Sequence, residues 1–208
     1  MKSEVVIVDY GLGNILSIGR ALEHVGASVK ISSSHSKIVK AKRIVLPGVG
    51  AFPRGMKNLI NLNLDQALME AADSGVQILG ICLGMQLLFE IGMEHEETRG
   101  LGLLPGAVDS LMIQNHSDID CVVPSVGWMR INTLKSESFV TDFNRKYFYF
   151  VHSFSVRPND KGVVVAEYKN YGGNIVAAVQ KGNVSGVQFH PEKSGREGLA
   201  LLENWINF

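Results

Sequence analysis

A buried strand that runs into a sharp turn is encoded by Val76-Gln77-Ile78-Leu79-Gly80-Ile81-Cys82-Leu83-Gly84. The apolar residues 76–81 predict the strand, and the pattern from about Leu83 to Ile91 predicts a helix. Between them, residues 80–84 have the Gly-x-nucleophile-x-Gly form, in the strand–turn–helix context that this motif requires. Both positions that flank the turn require glycine, because a side chain there would collide with the strand or the helix. The run therefore predicts an α/β sheet with a cysteine at the carboxyl end of a strand.

The first half of the chain alternates short apolar runs with helical patterns, which is typical of a parallel sheet covered on both faces. The second half, from Ala107, contains strand-like runs separated by turns at Gly172-Gly173-Asn174 and Asn183, which predicts added antiparallel hairpins. We expect one domain over residues 1–208, with a three-layer, mostly parallel sheet flanked by helices. The predicted strands are Val5–Val8, Val29–Ile31, Arg43–Leu46, 76–81, 121–124, 128–134, 147–151, 163–168, 175–180 and 184–189, and the predicted helices are 15–25, 64–73, 83–91 and 196–207.

Composition narrows the class of protein. The 208 residues include 46% hydrophobic residues, enough for a sizeable core, and 20 basic and 20 acidic residues that cancel to a net charge of zero. A neutral chain gives no indication of binding to nucleic acid or to an anionic membrane. Two cysteines, Cys82 and Cys121, do not make a disulfide framework, and we see no secretory signal or membrane span. We therefore expect a cytoplasmic protein with free thiols.

Cys82 is the candidate nucleophile. The turn would place its sulfur at a helix N-terminus, where the dipole and the free N–H groups favour a thiolate. The N–H of Leu83 would then face a developing oxyanion. The alternative for this motif alone is a small buried cysteine in a glycine-rich turn.

His190 and Glu192 are the candidate base and orienting acid. They end the run Val187-Gln188-Phe189-His190-Pro191-Glu192, in which Pro191 stops an alternating strand. A histidine at the carboxyl end of a strand faces the crevice in which open α/β sheets bind ligands. His190 could accept the Cys82 proton while Glu192 fixes the tautomer of the ring. Without the cysteine turn, such a histidine is more often a satisfied core or surface residue.

Two further segments are candidates for the site. Pro47-Gly48-Val49-Gly50 follows a predicted strand, and its glycines would allow an N–H to turn toward a ligand. His152-Ser153-Phe154 follows the aromatic strand at 147–151 and could recognise an amino or carboxylate group. A strand-ending turn and an edge strand, respectively, are the simpler interpretations.

Two stretches are rejected as cofactor or metal sites. Gly11-Leu12-Gly13-Asn14 begins like a dinucleotide loop, but Leu16 occupies the position of the last glycine. Lys30 and Ile31 stand where an acidic residue would follow. Adjacent carboxylates in the polar run Glu94-His95-Glu96-Glu97 are usually just solvated. We therefore expect neither a nucleotide cofactor nor a metal.

Taken together, these segments resemble the class I glutamine amidotransferases. Gly-Ile-Cys-Leu-Gly-Met-Gln at 80–86 and His-Pro-Glu at 190–192 are the two hallmark segments of that family, in the right order. More narrowly, the chain is similar to the family of glutaminase subunits of imidazole glycerol phosphate synthases. This similarity rests on residues 9–14, 47–50, 147–153, 177–181 and 186–195, and it extends from end to end of the chain.

The resemblance implies a function for each matching position. Cys82 would attack the carboxamide of glutamine and form a glutamyl thioester, and His190 would shuttle the proton. The ammonia would pass to a (β/α)₈-barrel cyclase subunit, the partner in a heterodimer, near which Trp128 and Lys193 would lie. The positions that match the glutamine pocket are Gly50, Leu83, Gln86, His152, Ser153 and Phe154.

One segment departs from the family pattern. The family commonly has Pro-His-x-Gly-Trp-Asn where this chain has Pro124-Ser125-Val126-Gly127-Trp128-Met129. The departure changes two polar groups, at Ser125 and Met129, near the expected interface. It therefore leaves open a paralogous glutaminase that feeds ammonia to a sugar-modifying amidotransferase in the synthesis of surface polysaccharides.

Overall fold

The computed structural model describes residues 3–114, 123–170 and 173–208. Cys121, part of the predicted strand 121–124 and the predicted turn residue Gly172 lie outside the described residues. The strands are β1 (Glu4–Val8), β2 (Ser28–Ser32), β3 (Arg43–Leu46), β4 (Gln77–Ile81), β5 (Phe89–Gly92), β6 (Thr98–Arg99), β7 (Leu104–Ser110), β8 (Ser125–Thr133), β9 (Tyr147–His152), β10 (Phe154–Pro158), β11 (Val164–Asn170), β12 (Gly173–Lys181) and β13 (Val184–Val187). The helices are α1 (Ile15–His24), α2 (His35–Val39), α3 (Phe52–Asn61), α4 (Leu64–Asp73), α5 (Leu83–Leu87), α6 (Leu111–Gln114) and α7 (Gly195–Asn207).

A nine-stranded sheet in the order β2-β1-β3-β4-β13-β12-β11-β8-β9 forms the centre of the molecule. The four pairings from β2 to β13 are parallel, and the four pairings from β13 to β9 are antiparallel. This confirms the predicted α/β class, a parallel sheet with added antiparallel strands. The antiparallel part contains as many pairings as the parallel part.

Helices cover both faces of the sheet. Along β1, Val5 and Ile7 belong to one buried cluster while Val6 and Val8 belong to the other, because successive side chains of a strand point to opposite faces. Helices α1 and α7 contribute apolar residues to the first cluster, and α3, α4 and α5 contribute to the second. Among the described residues, no helix is both long enough and apolar enough to cross a membrane.

The predicted helix at 83–91 is wrong in its second half. Helix α5 ends at Leu87, and Phe89–Gly92 is β5, which joins a separate four-stranded sheet in the order β10-β7-β5-β6. At Gly92 the backbone lies against the ring of Phe52, where an added Cβ would come within 2.4 Å of the ring. A short apolar run fits a helix and a buried strand equally well, so periodicity could not locate this boundary.

The strand directions bring the candidate segments to one edge of the large sheet. The parallel strands β3, β4 and β13 end immediately before Pro47, Cys82 and Gln188. Four successive antiparallel pairings separate β9 from β13, so β9 runs in the same direction and ends there at His152. This edge is the one at which open α/β sheets bind ligands.

Candidate active site

Cys82 lies at the strained turn that the sequence predicts. Its backbone has φ 55° and ψ −112°, unusual for a residue with a side chain. A Cβ added at Gly84 would lie 1.9 Å from the carbonyl oxygen of Leu46, and a Cβ added at Gly80 would lie 2.6 Å from the backbone nitrogen of Met85. Both predicted glycine requirements are thus confirmed as close backbone approaches. Because α5 has only five residues, its dipole is weaker than the predicted helix would supply, and the free N–H groups of its first turn matter more.

His190 and Glu192 form a buried pair beside the cysteine. The Nδ1–H of His190 donates to Oε1 of Glu192 at 2.9 Å, and their side chains are 2% and 0% exposed. The Nε2 atom of His190 is buried and has no hydrogen bond of ordinary geometry among the described residues, but Cys82 lies close enough to act on the ring. Burial alone would lower the pKa of His190. Interactions with Cys82 and Glu192 outweigh the burial and raise that pKa to about 9.

A cavity of about 350 Å³ opens beside Cys82. Every predicted site residue lines it except Glu192, which lies behind His190. A second cavity, of about 740 Å³, is lined by Arg157, Lys161 and Glu167 among others and contains none of the predicted site residues. The residues that line the smaller cavity are Val49, Gly50, Cys82, Leu83, Gln86, Glu94, Val151, His152, Ser153, Phe154 and His190.

The segment Pro47–Gly50 contributes one wall of the site through Val49 and Gly50, and Gly50 has the positive φ of 110° that a glycine allows. Sequence reasoning missed the residue that holds this wall, Tyr10. Its hydroxyl donates to the carbonyl oxygen of Pro47 at 2.7 Å. Burial, together with the charge of Cys82, raises the pKa of Tyr10, so the hydroxyl keeps its proton and remains a donor. The rejected nucleotide loop, which follows Tyr10, packs against the same segment, since a Cβ added at Gly13 would lie 2.9 Å from the side chain of Pro47.

His152 supports the cavity wall through both ring nitrogens. Its Nδ1 lies 2.7 Å from the carbonyl oxygen of Phe154, which can only accept, so Nδ1 carries the proton. Its Nε2 then accepts from the hydroxyl of Tyr168 at 2.8 Å. Burial lowers the pKa of His152 to about 4, against the opposing effect of the Phe154 carbonyl and with a smaller lowering contribution from the nearby His190. His152 is therefore neutral at physiological pH and fixes the position of Phe154.

Glu94 is a cavity residue that the sequence interpretation treated as solvated. Its Oε2 accepts the backbone N–H of Phe52 at 2.7 Å, and its side chain lines the cavity. The neighbouring residues His95, Glu96 and Glu97 are exposed, as a polar loop predicts. Only the tertiary contact with the start of α3 distinguishes Glu94 from them. In the described part of the chain, no cluster of three or more histidine, cysteine, aspartate or glutamate residues could hold a metal ion.

Comparisons with known proteins place the chain in a family. A family model described as glutamine amidotransferase class-I matches residues 6–207. The chain is 42% identical over 202 residues to the imidazole glycerol phosphate synthase subunit HisH of Listeria innocua, covering 97% of this chain and 94% of that protein. It is 43% identical over 203 residues to the protein of the same name from Aquifex aeolicus, covering 96% and 94%.

Solved structures share the fold at lower sequence identity. A chain in the structure of PurLQS from Thermotoga maritima matches with a TM-score of 0.74 and 24% identity, over 100% of this chain and 99% of that one. A structure described as glutamine amidotransferase matches with a TM-score of 0.71 and 20% identity, over 96% and 98%. At this identity the likeness supports the arrangement of strands and helices alone.

Proposed function

The chain belongs to the class I glutamine amidotransferases, and we propose that it is the glutaminase subunit of an imidazole glycerol phosphate synthase, acting through Cys82, His190 and Glu192. The observation that carries this proposal is the cysteine turn facing the buried His190–Glu192 pair across one cavity. Relatives with about 40% identity over nearly the whole chain carry the name of that synthase subunit.

The first chemical step is the formation of a thioester. The sulfur of Cys82 attacks the side-chain carbonyl carbon of glutamine, and the negative charge that develops on the oxygen is stabilised by the N–H of Leu83 and by the wall at Pro47–Gly50. The carbon–nitrogen bond then breaks. His190, which holds a proton at neutral pH because its pKa is about 9, donates that proton to the leaving nitrogen, and ammonia departs.

The second step releases glutamate. His190, now neutral, takes a proton from water, and the resulting hydroxide attacks the thioester carbon. The carbon–sulfur bond breaks and Cys82 is regenerated as a thiolate paired with protonated His190. Throughout, Glu192 keeps the Nδ1–H of His190 bonded, so that Nε2 is the nitrogen that exchanges protons at the cavity.

The cavity also offers groups for the amino-acid end of the substrate. Both amide hydrogens of Gln86 are engaged, one with the carbonyl of Phe154 at 3.0 Å and one with Oε1 of Gln188 at 3.1 Å. The Oε1 atom of Gln86 is therefore left as an acceptor. With the carboxylate of Glu94, it provides the acceptors that an α-ammonium group requires.

We expect Glu94→Gln to raise the KM for glutamine about tenfold with little change in kcat, because the amide still bonds to Phe52 but loses the charge that pairs with the α-ammonium group. Steady-state glutamate formation with the partner subunit present measures both constants. Glu96→Gln, an exposed residue of the same loop, is the matched control. An unchanged KM in Glu94→Gln would place the ammonium-binding group elsewhere.

A partner surface adjoins the site. On the outer face of β8, Trp128 is 53% exposed and packs edge-on against Tyr149 with ring centroids 6.1 Å apart. The Nζ of Lys193 lies 5.9 Å from the centre of the same Tyr149 ring. Trp128 and Lys193, which the resemblance places near a barrel-type synthase subunit, thus share one exposed patch. We propose that this patch contacts that partner and that the ammonia passes to it.

The departures at Ser125 and Met129 do not alter this patch. Ser125 is 3% exposed, and its hydroxyl bonds to Tyr168 and to Asn170 at 3.3 and 3.2 Å. Met129 packs against the core. Both therefore lie on the inward face of β8, opposite to Trp128, so they change the interior and not the interface. The structure gives no support to the sugar-modifying alternative.

The experiment that tests the proposal is glutamate release by the purified chain, with and without a barrel-type cyclase subunit and its phosphoribulosyl ligand. We expect low basal activity and a stimulation of roughly tenfold or more by the liganded partner. Weak activity that the cyclase leaves unchanged would retain the glutaminase chemistry but assign a different acceptor. Absence of glutamate release under every condition would overturn the proposed function.

A further inference from the structure

A buried carboxamide contacts the sulfur of Cys82 from the side of the sheet. Gln188 is fully buried, and its Nε2 lies 3.7 Å from the Sγ of Cys82. It stands two residues before His190, immediately after β13, and its backbone N–H donates to the carbonyl oxygen of Ala177 at 2.8 Å. Burial of a carboxamide in an apolar setting is costly unless its hydrogen bonds are satisfied. Both ends of the Gln188 carboxamide therefore need hydrogen-bond partners, which are Gln86 at one end and Cys82 at the other.

The orientation of this carboxamide follows from a single carbonyl group. The carbonyl oxygen of Phe154 can only accept, so the Gln86 atom 3.0 Å from it is Nε2. The same Nε2 lies 3.1 Å from the side chain of Gln188, which must present its oxygen there. The other end of the Gln188 amide is consequently an N–H donor, and that donor faces Cys82. His152, through Nδ1, fills the second acceptor position of the same carbonyl.

We propose that Gln188 is a positioning residue for the nucleophile, whose N–H holds the Cys82 sulfur as a thiolate directed at the substrate carbon. This inference rests on the proposed function, in which Cys82 is the nucleophile. An N–H donor bonds more strongly to a charged acceptor than to a neutral one, so the contact favours the thiolate over the thiol. Among the residues that the structure describes, the other titratable groups that line the cavity or act on the sulfur are His190, Tyr10, His152 and Glu94. None of these four groups has a hydrogen bond to the Gln188 side chain, so a substitution there removes none of their own contacts.

The test is the rate at which Cys82 is alkylated by iodoacetamide as a function of pH, in a Cys121→Ser background so that one thiol reacts. In Gln188→Met, which keeps the length of the side chain but removes the donor, we expect the midpoint of the profile to move up by about one pH unit. Below the midpoint, alkylation then slows about tenfold. At high pH the two rates agree, because access to the sulfur is unchanged.

Two further variants make the result specific. Gln188→Glu keeps an acceptor for Gln86 but removes the donor and adds a negative charge, so its midpoint is expected to lie higher still. Gln180→Met is the matched control, since Gln180 bonds to the backbone of Phe139 at 3.3 Å and has no part in the site. An alkylation profile of folded Gln188→Met or Gln188→Glu that coincides with that of the unsubstituted protein would overturn the proposal.

A measurement on the unsubstituted side chain covers the case in which these variants fail to fold. The side-chain ¹⁵N–¹H signals of Gln188 are expected to shift as Cys82 ionises and to show no such step in Cys82→Ala. Side-chain signals of Gln188 that show no pH-dependent step assignable to Cys82 would contradict the inference. Neither the alkylation profile nor the NMR signals involve glutamine. If the protein lacked glutaminase activity, the proposed function would be overturned, and these two measurements would still decide the role of Gln188.

Discussion

Cys82→Ala is expected to lower glutamate release by roughly 10⁴-fold or more, measured at saturating glutamine with the stimulating partner present. The proposed thioester forms at the sulfur of Cys82, and alanine leaves the rest of the cavity intact. Binding of glutamine and stabilisation of the oxyanion would persist without a nucleophile. The expected variant therefore binds the substrate and the partner but does not turn over.

The folding of this variant decides whether a loss of activity is informative. Cys82 is 7% exposed at the edge of the core, so removing its sulfur should cost about 1 kcal/mol of the free energy of unfolding, a small part of the stability of a domain. Cys121→Ser, whose position lies outside the described residues, is the matched control and is expected to keep full activity. Comparable ammonia release by folded Cys82→Ala would exclude the cysteine mechanism.

The turn at Cys82 was predictable because its determinants are local. A buried strand, two glycines and the start of a helix occupy nine consecutive residues, and the steric need for Gly80 and Gly84 follows from that geometry. The pairing of His190 with Glu192 was predictable for the same reason, since a single residue, Pro191, separates them. Placing both in one cavity needed only the shared direction of parallel strands.

Other parts of the site depend on contacts between residues far apart in the chain. Tyr10 reaches Pro47 across 37 residues, and Gln188 reaches Cys82 across 106. Neither pair carries a signal in spacing or composition. Glu94 was misjudged because a carboxylate in a polar loop is ordinarily solvated, and only its contact with Phe52 turns it toward the cavity. The strand Phe89–Gly92 was missed for a similar reason, because its partner β7 determines its structure.

Glu192→Gln is expected to lower glutamate formation by about 10⁴-fold, the loss seen when the orienting acid of a triad is replaced by its amide. The amide keeps the shape of the side chain but can present an N–H to the Nδ1 of His190. The ring would then carry its proton on Nε2, the wrong tautomer for accepting a proton from water at the cavity. Activity with the partner present measures the effect, and Glu197→Gln, a half-exposed residue that pairs with Lys146 at 3.4 Å, is the matched control.

The pH dependence of stability gives Glu192→Gln a second readout. His190 has its pKa raised from 6.5 to about 9 in the folded protein, so its proton stabilises the fold. That contribution is fully present below pH 6.5 and is lost as the pH rises through 9, so the free energy of unfolding should fall across this window. Glu192→Gln removes one source of the raised pKa and should flatten the fall. If denaturant titrations between pH 6 and 10 show the same slope in both proteins, Glu192 does not hold the proton on His190, and its proposed role is wrong.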